Sequence, residues 1–195
     1  MKQILGVVLA TMLGLGGAWY ATRWFSDDSH PTSMTLAENG DFTLQSVNGS
    51  ISLDNFRDKV VIVYFGYTAC PDICPTSMAT LKHGLKQLTG AELAQVQGIF
   101  ISVDPERDTP EHVQKYAQYF HPNIMGVTGK PEVLAEVAKR YNVTYRKVEI
   151  SNSAMGYTID HSALLYILDK KGNVREQVQH VVPATELANS IRRLL

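Results

Sequence analysis

Residues 59–76 read Lys59-Val-Val-Ile-Val-Tyr-Phe-Gly-Tyr-Thr-Ala-Cys-Pro-Asp-Ile-Cys-Pro-Thr76, and this stretch decides the fold. Six consecutive apolar, largely β-branched residues from Val60 to Phe65 have no period-2 alternation, the pattern of a strand buried on both faces. Gly66 ends the run. The only two cysteines of the chain follow, Cys70 and Cys74, and then a stretch with apolar residues at 78, 81, 85 and 88 that predicts a helix. Pro75 suits the first helical position, where a backbone N–H has no partner in any case. Both thiols therefore lie where a central strand hands over to a helix. In open α/β sheets ligands gather at the carboxyl ends of strands.

Three readings of the pair stay open at this level. As a structural disulfide it would close a very small ring, which restricts the unfolded chain little. As a redox pair it would resemble C-x-x-C centres, with one residue too many. As a soft-metal site it would need a further ligand from elsewhere. A helix N-terminus favours thiolate, the reactive form in both of the last two cases.

Outward from this unit, strands and helices alternate. The segment 41–53 alternates around Asn48-Gly49, a hairpin signal. Residues 96–103 predict a second buried strand. Thr109 can cap a helix with Pro110 at its first position, running to about Phe120. A short strand is expected at 124–128 and an amphipathic helix at 131–141, with Val133, Leu134, Val137, Ala138 and Tyr141 inward. Residues 143–150 read as extended, 151–160 as a polar loop and 163–168 as a strand. Lys171-Gly172-Asn173 turns the chain, 174–181 pair back, and 183–195 form the last helix. The order predicts an α/β, thioredoxin-like sandwich with an N-terminal β-hairpin added, occupying residues 38–195.

The N-terminal segment is different. Residues 4–21 carry no charged side chain and are flanked by Lys2 and Arg23. At ~1.5 Å rise per residue the run matches a hydrocarbon core of ~30 Å, and it exceeds the apolar region of a typical signal peptide. The expectation is a single transmembrane anchor within residues 1–25, with a cleaved signal sequence as the alternative, and a polar tether over 26–37. The chain has 195 residues, 19% of them charged, and a net charge of -1, so no basic excess points to nucleic acid. Two cysteines do not make a disulfide scaffold.

Six histidines can supply a third ligand: 30, 83, 112, 121, 161 and 180. His30 lies in the tether, and His83 and His112 lie on expected exposed helix faces. His121 sits at a helix end, where a positive charge would suit the dipole. His180 lies near a strand end. His161 follows the polar loop and precedes a strand, which spacing alone favours only slightly. Asp72, Met155 and Tyr157 read as ordinary loop residues, Asp104 and Asp108 as turn and cap residues, and Tyr64 and Phe65 as core beneath the thiols.

Three motifs together, Tyr64-Phe-Gly-Tyr-Thr-Ala-Cys-Pro-Asp-Ile-Cys-Pro-Thr76, Ile101-Ser-Val-Asp-Pro-Glu-Arg-Asp-Thr-Pro110 and Asp160-His-Ser162, resemble the Sco/SenC family of copper-binding proteins, over about residue 36 to the end. The resemblance implies a thioredoxin-like fold in which Cys70, Cys74 and His161 bind one copper ion. Two thiolates and an imidazole suit Cu(I) and can also hold Cu(II), provided both thiols are reduced. It further implies a metallochaperone for the binuclear Cu(A) centre of cytochrome c oxidase subunit II, supplied by an upstream copper donor. The alternative is a thiol–disulfide reductase of the Cu(A) cysteines, with Cys70 and Cys74 as the redox pair, or a copper or redox sensor. The segment before the domain lacks an Arg- and Ser-rich amphipathic presequence, which favours a bacterial cytoplasmic membrane with the domain facing the periplasm over the alternative of a eukaryotic inner membrane.

Overall fold

The computed structural model describes residues 40–151 and 153–195. The expected anchor, the tether and His30 lie outside them; among the described residues no helix is long and apolar enough to cross a membrane. Nine strands and five α-helices are described, besides a 3-10 turn at Leu53–Phe56: β1 (Thr43–Ser46), β2 (Gly49–Ser52), β3 (Val60–Gly66), α1 (Ile73–Lys86), α2 (Gly90–Leu93), β4 (Val96–Ser102), α3 (Pro110–Phe120), β5 (Ile124–Val127), α4 (Pro131–Arg140), β6 (Tyr145–Glu149), β7 (Tyr157–His161), β8 (Leu164–Leu168), β9 (Val174–Gln179) and α5 (Ala184–Arg192).

The central sheet has the order β5-β4-β3-β8-β9. Strands β3, β4 and β5 run parallel, while β8 is antiparallel to β3 and β9 to β8. This mixed sheet is the thioredoxin-like arrangement the alternation of elements predicts. The buried run at 60–65 becomes its middle strand. Every residue from Val60 to Phe65 is at most 1 % exposed.

Alternation along β3 divides the core into two layers. On one face Tyr64 stacks on Phe100 at 6.1 Å, and Phe100 meets Tyr116 of α3 at 5.1 Å. Gly66 lies on that face too: a Cβ there would stand 2.8 Å from Cys74 Sγ on α1, so the glycine is what lets the thiol approach the sheet. A Cβ at Gly84 of α1 would strike Leu187 at 2.6 Å, which shows how closely α5 packs beside α1. On the opposite face Phe65 meets Tyr141, just past α4, and Tyr166 at 5.2 and 5.9 Å. Phe65 is thus core, but on the side away from the thiols, while Tyr64 does lie beneath them.

The β1–β2 hairpin is joined to the sheet by paired backbone bonds between Gln45 and Thr128, beyond the end of β5. Its turn is Val47-Asn48, with Gly49 opening β2 at φ +104°, one residue earlier than the Asn48-Gly49 reading. Helix α1 begins at Ile73, which makes Pro75 its third residue rather than its first; the third N–H is also without a helical partner, so proline is tolerated equally. Helix α3 starts as expected, with Thr109 Oγ1 accepting from the His112 N–H and Pro110 first. The polar loop expected at 151–160 is shorter. Tyr157–His161 is a strand, antiparallel to β6, in register from Tyr145↔His161 to Glu149↔Tyr157. Only Ile159 in it is fully buried, so its alternation carries little apolar signal.

Candidate metal centre

Cys70 lies in the loop after β3, and Cys74 in the first turn of α1. Cys74 is fully buried against Gly66 and Tyr64, whereas Cys70 is partly open to solvent. The thiols are free. The Cys74 backbone N–H points at Cys70 Sγ from 3.4 Å, placing that sulfur at the positive end of α1. His161, the last residue of β7, completes the group: its Nε2 is 3.3 Å from Cys74 Sγ. One ligand atom from each of the three residues lies within 4.8 Å of the others.

His161 is oriented from behind. Its Nδ1 is 3.1 Å from the Ser162 carbonyl oxygen. A carbonyl can only accept, so Nδ1 carries the hydrogen and the Nε2 lone pair faces the thiols. The ring stands edge-on to Tyr64 and Tyr67, at 6.1 and 5.9 Å. A cavity of about 360 Å³ opens over Cys70 and His161, walled by Tyr67, Ile73, Thr158 and His180.

The two thiols share one proton unequally. The Cys74 S–H, then the N–H groups of Cys74 and Asp72, pull Cys70 far below the usual thiol range, against the opposing effect of burial. The Cys70 thiolate and burial together push Cys74 up. This gives an accessible thiolate beside a buried thiol. Metal–sulfur and metal–nitrogen bonds of about 2.3 and 2.0 Å mean that two donors of one ion stand at most ~4.6 Å apart. Small movements would therefore let the three groups close on one ion, with Cys74 giving up its proton.

Among the described residues no other histidine joins this group of ligand atoms. His83 and His112 are exposed, as expected. His121 is buried and accepts the Asn123 N–H at Nδ1; burial, then Lys86 and Lys82, hold its pKa down, so it is a neutral acceptor and not the helix-end cation expected. His180 walls the cavity, which its position near a strand end gave no sign of. Asp72 is exposed and makes no side-chain cap for α1.

Asp104 and Asp108 do more than turn and cap chemistry. Thr109 is the cap of α3. The buried Asp108 carboxylate accepts from the Thr68 N–H and hydroxyl and from Ser102 Oγ, at 2.9, 2.5 and 2.5 Å. That ties the thiol loop to the end of β4. Asp104, 2 % exposed, binds Arg107 and the Tyr157 hydroxyl.

The family model described as SCO1/SenC matches residues 30–195. The mitochondrial protein SCO2 homolog of Bos taurus is 36% identical over 188 residues, covering 92% of this chain and 70% of its own. The copper-bound structure of Bradyrhizobium japonicum ScoI superposes with a TM-score of 0.73 at 36% identity, over 82% of this chain and all of that one. BsSco, described with a disulfide switch and as a member of the Sco family of cytochrome c oxidase assembly proteins, superposes with a TM-score of 0.64 at 26% identity, over 82% and 94%. By the extent of the model match and the identity to full-length relatives, this chain belongs to the SCO1/SenC family.

Proposed function

We propose that the chain is a copper metallochaperone: it binds one copper ion through Cys70, Cys74 and His161 and delivers it during assembly of cytochrome c oxidase, to the Cu(A) centre of subunit II. The observation that carries this reading is the convergence of two thiols and a pre-oriented imidazole within 4.8 Å, in a chain related to a copper-bound ScoI. Thiolate and imidazole donors suit Cu(I). Cys70 and His161 line an open cavity, so an incoming ligand of the partner has a path to the ion without unfolding the site. Copper is the cargo here. The chain's task is to hold the thiols reduced and the Nε2 lone pair aimed inward, and to release. A membrane anchor within residues 1–25 would keep the domain at the outer face of a bacterial cytoplasmic membrane, close to that partner and to a copper donor.

A second reading rests on the unequal thiols. An accessible Cys70 thiolate beside a buried Cys74 thiol is the arrangement of a disulfide reductase. Cys70 would attack a partner disulfide and release one partner thiolate. Cys74, after losing its proton, would attack the mixed disulfide and release the second. The chain would end with a Cys70–Cys74 disulfide, two electrons having passed to the partner. BsSco, with its disulfide switch, gives this reading a relative.

An anaerobic Cu(I) titration of the full chain in detergent, against a competing chelator, separates the two. One tightly bound equivalent that is weakened in both His161→Ala and Cys70→Ser supports the chaperone. Equal, weak binding by the wild type and His161→Ala overturns it. Disulfide exchange that survives His161→Ala would then favour the reductase.

A further inference from the structure

The residues between β4 and α3 touch both parts of the triad. At one end of this loop Asp108 holds the thiol loop through Thr68. Just before it in sequence, the Arg107–Asp104 pair holds the hairpin that carries His161. Asp104 accepts from Arg107 Nε at 2.5 Å and from the Tyr157 hydroxyl at 2.7 Å. The Arg107 fork also donates to the Tyr157 and Met155 carbonyls, at 3.1 and 3.4 Å. Its guanidinium carbon lies 3.7 Å from the Tyr157 ring centre and 5.6 Å from that of Tyr67, which belongs to the thiol loop. The loop between the two acids is itself fixed, because the Arg107 and Asp108 N–H groups both bond the Asp104 carbonyl.

This matters because β6 and β7 form a separate two-stranded sheet, not part of the five-stranded one. A lone two-stranded hairpin is marginal in water. Its place over the thiols has to come from contacts with the rest of the domain. Arg107 grips its turn end, at the far end of β7 from His161, through two carbonyls and one aromatic face, with the buried Asp104 carboxylate beneath it. From Tyr157 to His161 the chain is continuous strand, so a contact that fixes Tyr157 fixes the imidazole.

We infer that Arg107, seated on Asp104, is the positioning residue that presents His161 to the two thiols, and so sets how firmly the metal is held. The inference rests on the copper-site reading above. Arg107 touches no metal ligand directly and acts only through the hairpin. Arginine suits this place because Nε bonds Asp104 while Nη1 alone reaches both carbonyls and the guanidinium face covers a ring, a set of contacts that a lysine's single nitrogen cannot make together.

The test is a double-mutant cycle in the full chain, in detergent, with Cu(I) competition titrations of wild type, Arg107→Ala, Arg107→Lys, His161→Ala and Arg107→Ala/His161→Ala. Loss of a residue that orients a ligand typically weakens metal binding 10–100-fold. Arg107→Ala is expected to weaken Cu(I) by about tenfold or more, with Arg107→Lys in between. Once His161 is alanine, removal of Arg107 should change nothing further. Equal weakening in both backgrounds would mean a general structural role, and wild-type affinity in Arg107→Ala would mean no role; each overturns the proposal. Amide hydrogen exchange of the metal-free protein gives a readout independent of copper. Exchange at β6–β7 should rise in Arg107→Ala and Arg107→Lys while β3 and β8 keep their protection; unchanged exchange at the hairpin overturns the proposal. Arg107→Lys keeps the charge beside Asp104 and serves where the alanine variant does not fold. If wild-type Cu(I) binding does not depend on His161, the copper-site reading fails instead, and the exchange data still decide what Arg107 holds.

Discussion

The thiol loop and the histidine hairpin deliver their ligands to one point from supports of opposite kind. The thiols hang from β3, the middle strand of the sheet, and from α1, and Cys74 is pressed against Gly66. The imidazole is carried by β7, where only Ile159 is fully buried and which, among the described residues, pairs with β6 alone. Local opening follows the number of buried apolar contacts. The hairpin therefore opens at lower free energy than the loop. For the carrier proposed above, this division would keep the thiols fixed and let the imidazole move. Substitutions at the two supports should accordingly give different signatures.

The largest effect is expected at Asp108, the bracket of the fixed side. Asp108→Ala leaves the Thr68 N–H, the Thr68 hydroxyl and the Ser102 hydroxyl without their shared acceptor in a buried place. Orphaned buried donors cost ~1–3 kcal/mol each, less what solvent entry restores, so a loss of about 3 kcal/mol is expected in chemical denaturation. Cu(I) affinity should fall with it, because the thiol loop loses its register on β4. A stable variant with native affinity would show that α1 alone fixes the thiols.

Gly66→Ala comes next and strikes the same side more locally. The new Cβ would meet Cys74 Sγ at 2.8 Å and Phe100 at 2.9 Å. Forcing a methyl into a packed core costs ~1–3 kcal/mol, so about 2 kcal/mol is expected. The sign of a thiol effect is specific: Cys74 should become accessible to alkylation in the metal-free protein, where only Cys70 reacts readily in the wild type. Cys74 still protected from iodoacetamide would mean that the helix, not the glycine, sets its depth.

The same contrast governs what the sequence shows by itself. The fixed side is legible. An unbroken apolar run, a glycine and a Thr109-Pro110 cap are local signals, and the elements they mark stand where they should, while the helix after the thiols begins two residues before the Pro75 start expected. The hairpin side is not. Tyr157-Thr-Ile-Asp-His161 alternates with one buried residue, so hydrophobic periodicity had little to work with among the polar residues around it. His161 meets Cys74 across 87 positions of chain, a distance no spacing rule bridges; its place before a strand gave it a slight edge, and the motif resemblance made it stand out from the other histidines. Asp104, Arg107 and Asp108 look like a charged turn in sequence. Their partners, Tyr157 and Thr68, belong to segments brought alongside by the sheet, so their role exists only in three dimensions. His180 was silent for the same reason.

The smallest predicted effect is the most selective. Tyr67 belongs to the thiol loop and Thr158 to β7, and their hydroxyls are 2.7 Å apart. It is a direct hydrogen bond between the fixed and the moving support. Tyr67→Phe removes it while the ring keeps its place against His161 and under Arg107. A net hydrogen bond of this kind contributes ~1 kcal/mol. If the hairpin opens as its own unit, that loss should fall on its opening equilibrium. Amide exchange at Tyr157–His161 would then quicken about fivefold, as ~1 kcal/mol dictates, with global stability changing less. Copper release to a chelator should quicken while alkylation of Cys74 in the metal-free state stays slow, the reverse of the Gly66→Ala pattern. If the loss appears instead as a uniform drop in protection across β3, β8 and β7, the two supports unfold together. The hairpin would then be part of the core's cooperative unit, and the release step would have to be sought in the thiols themselves.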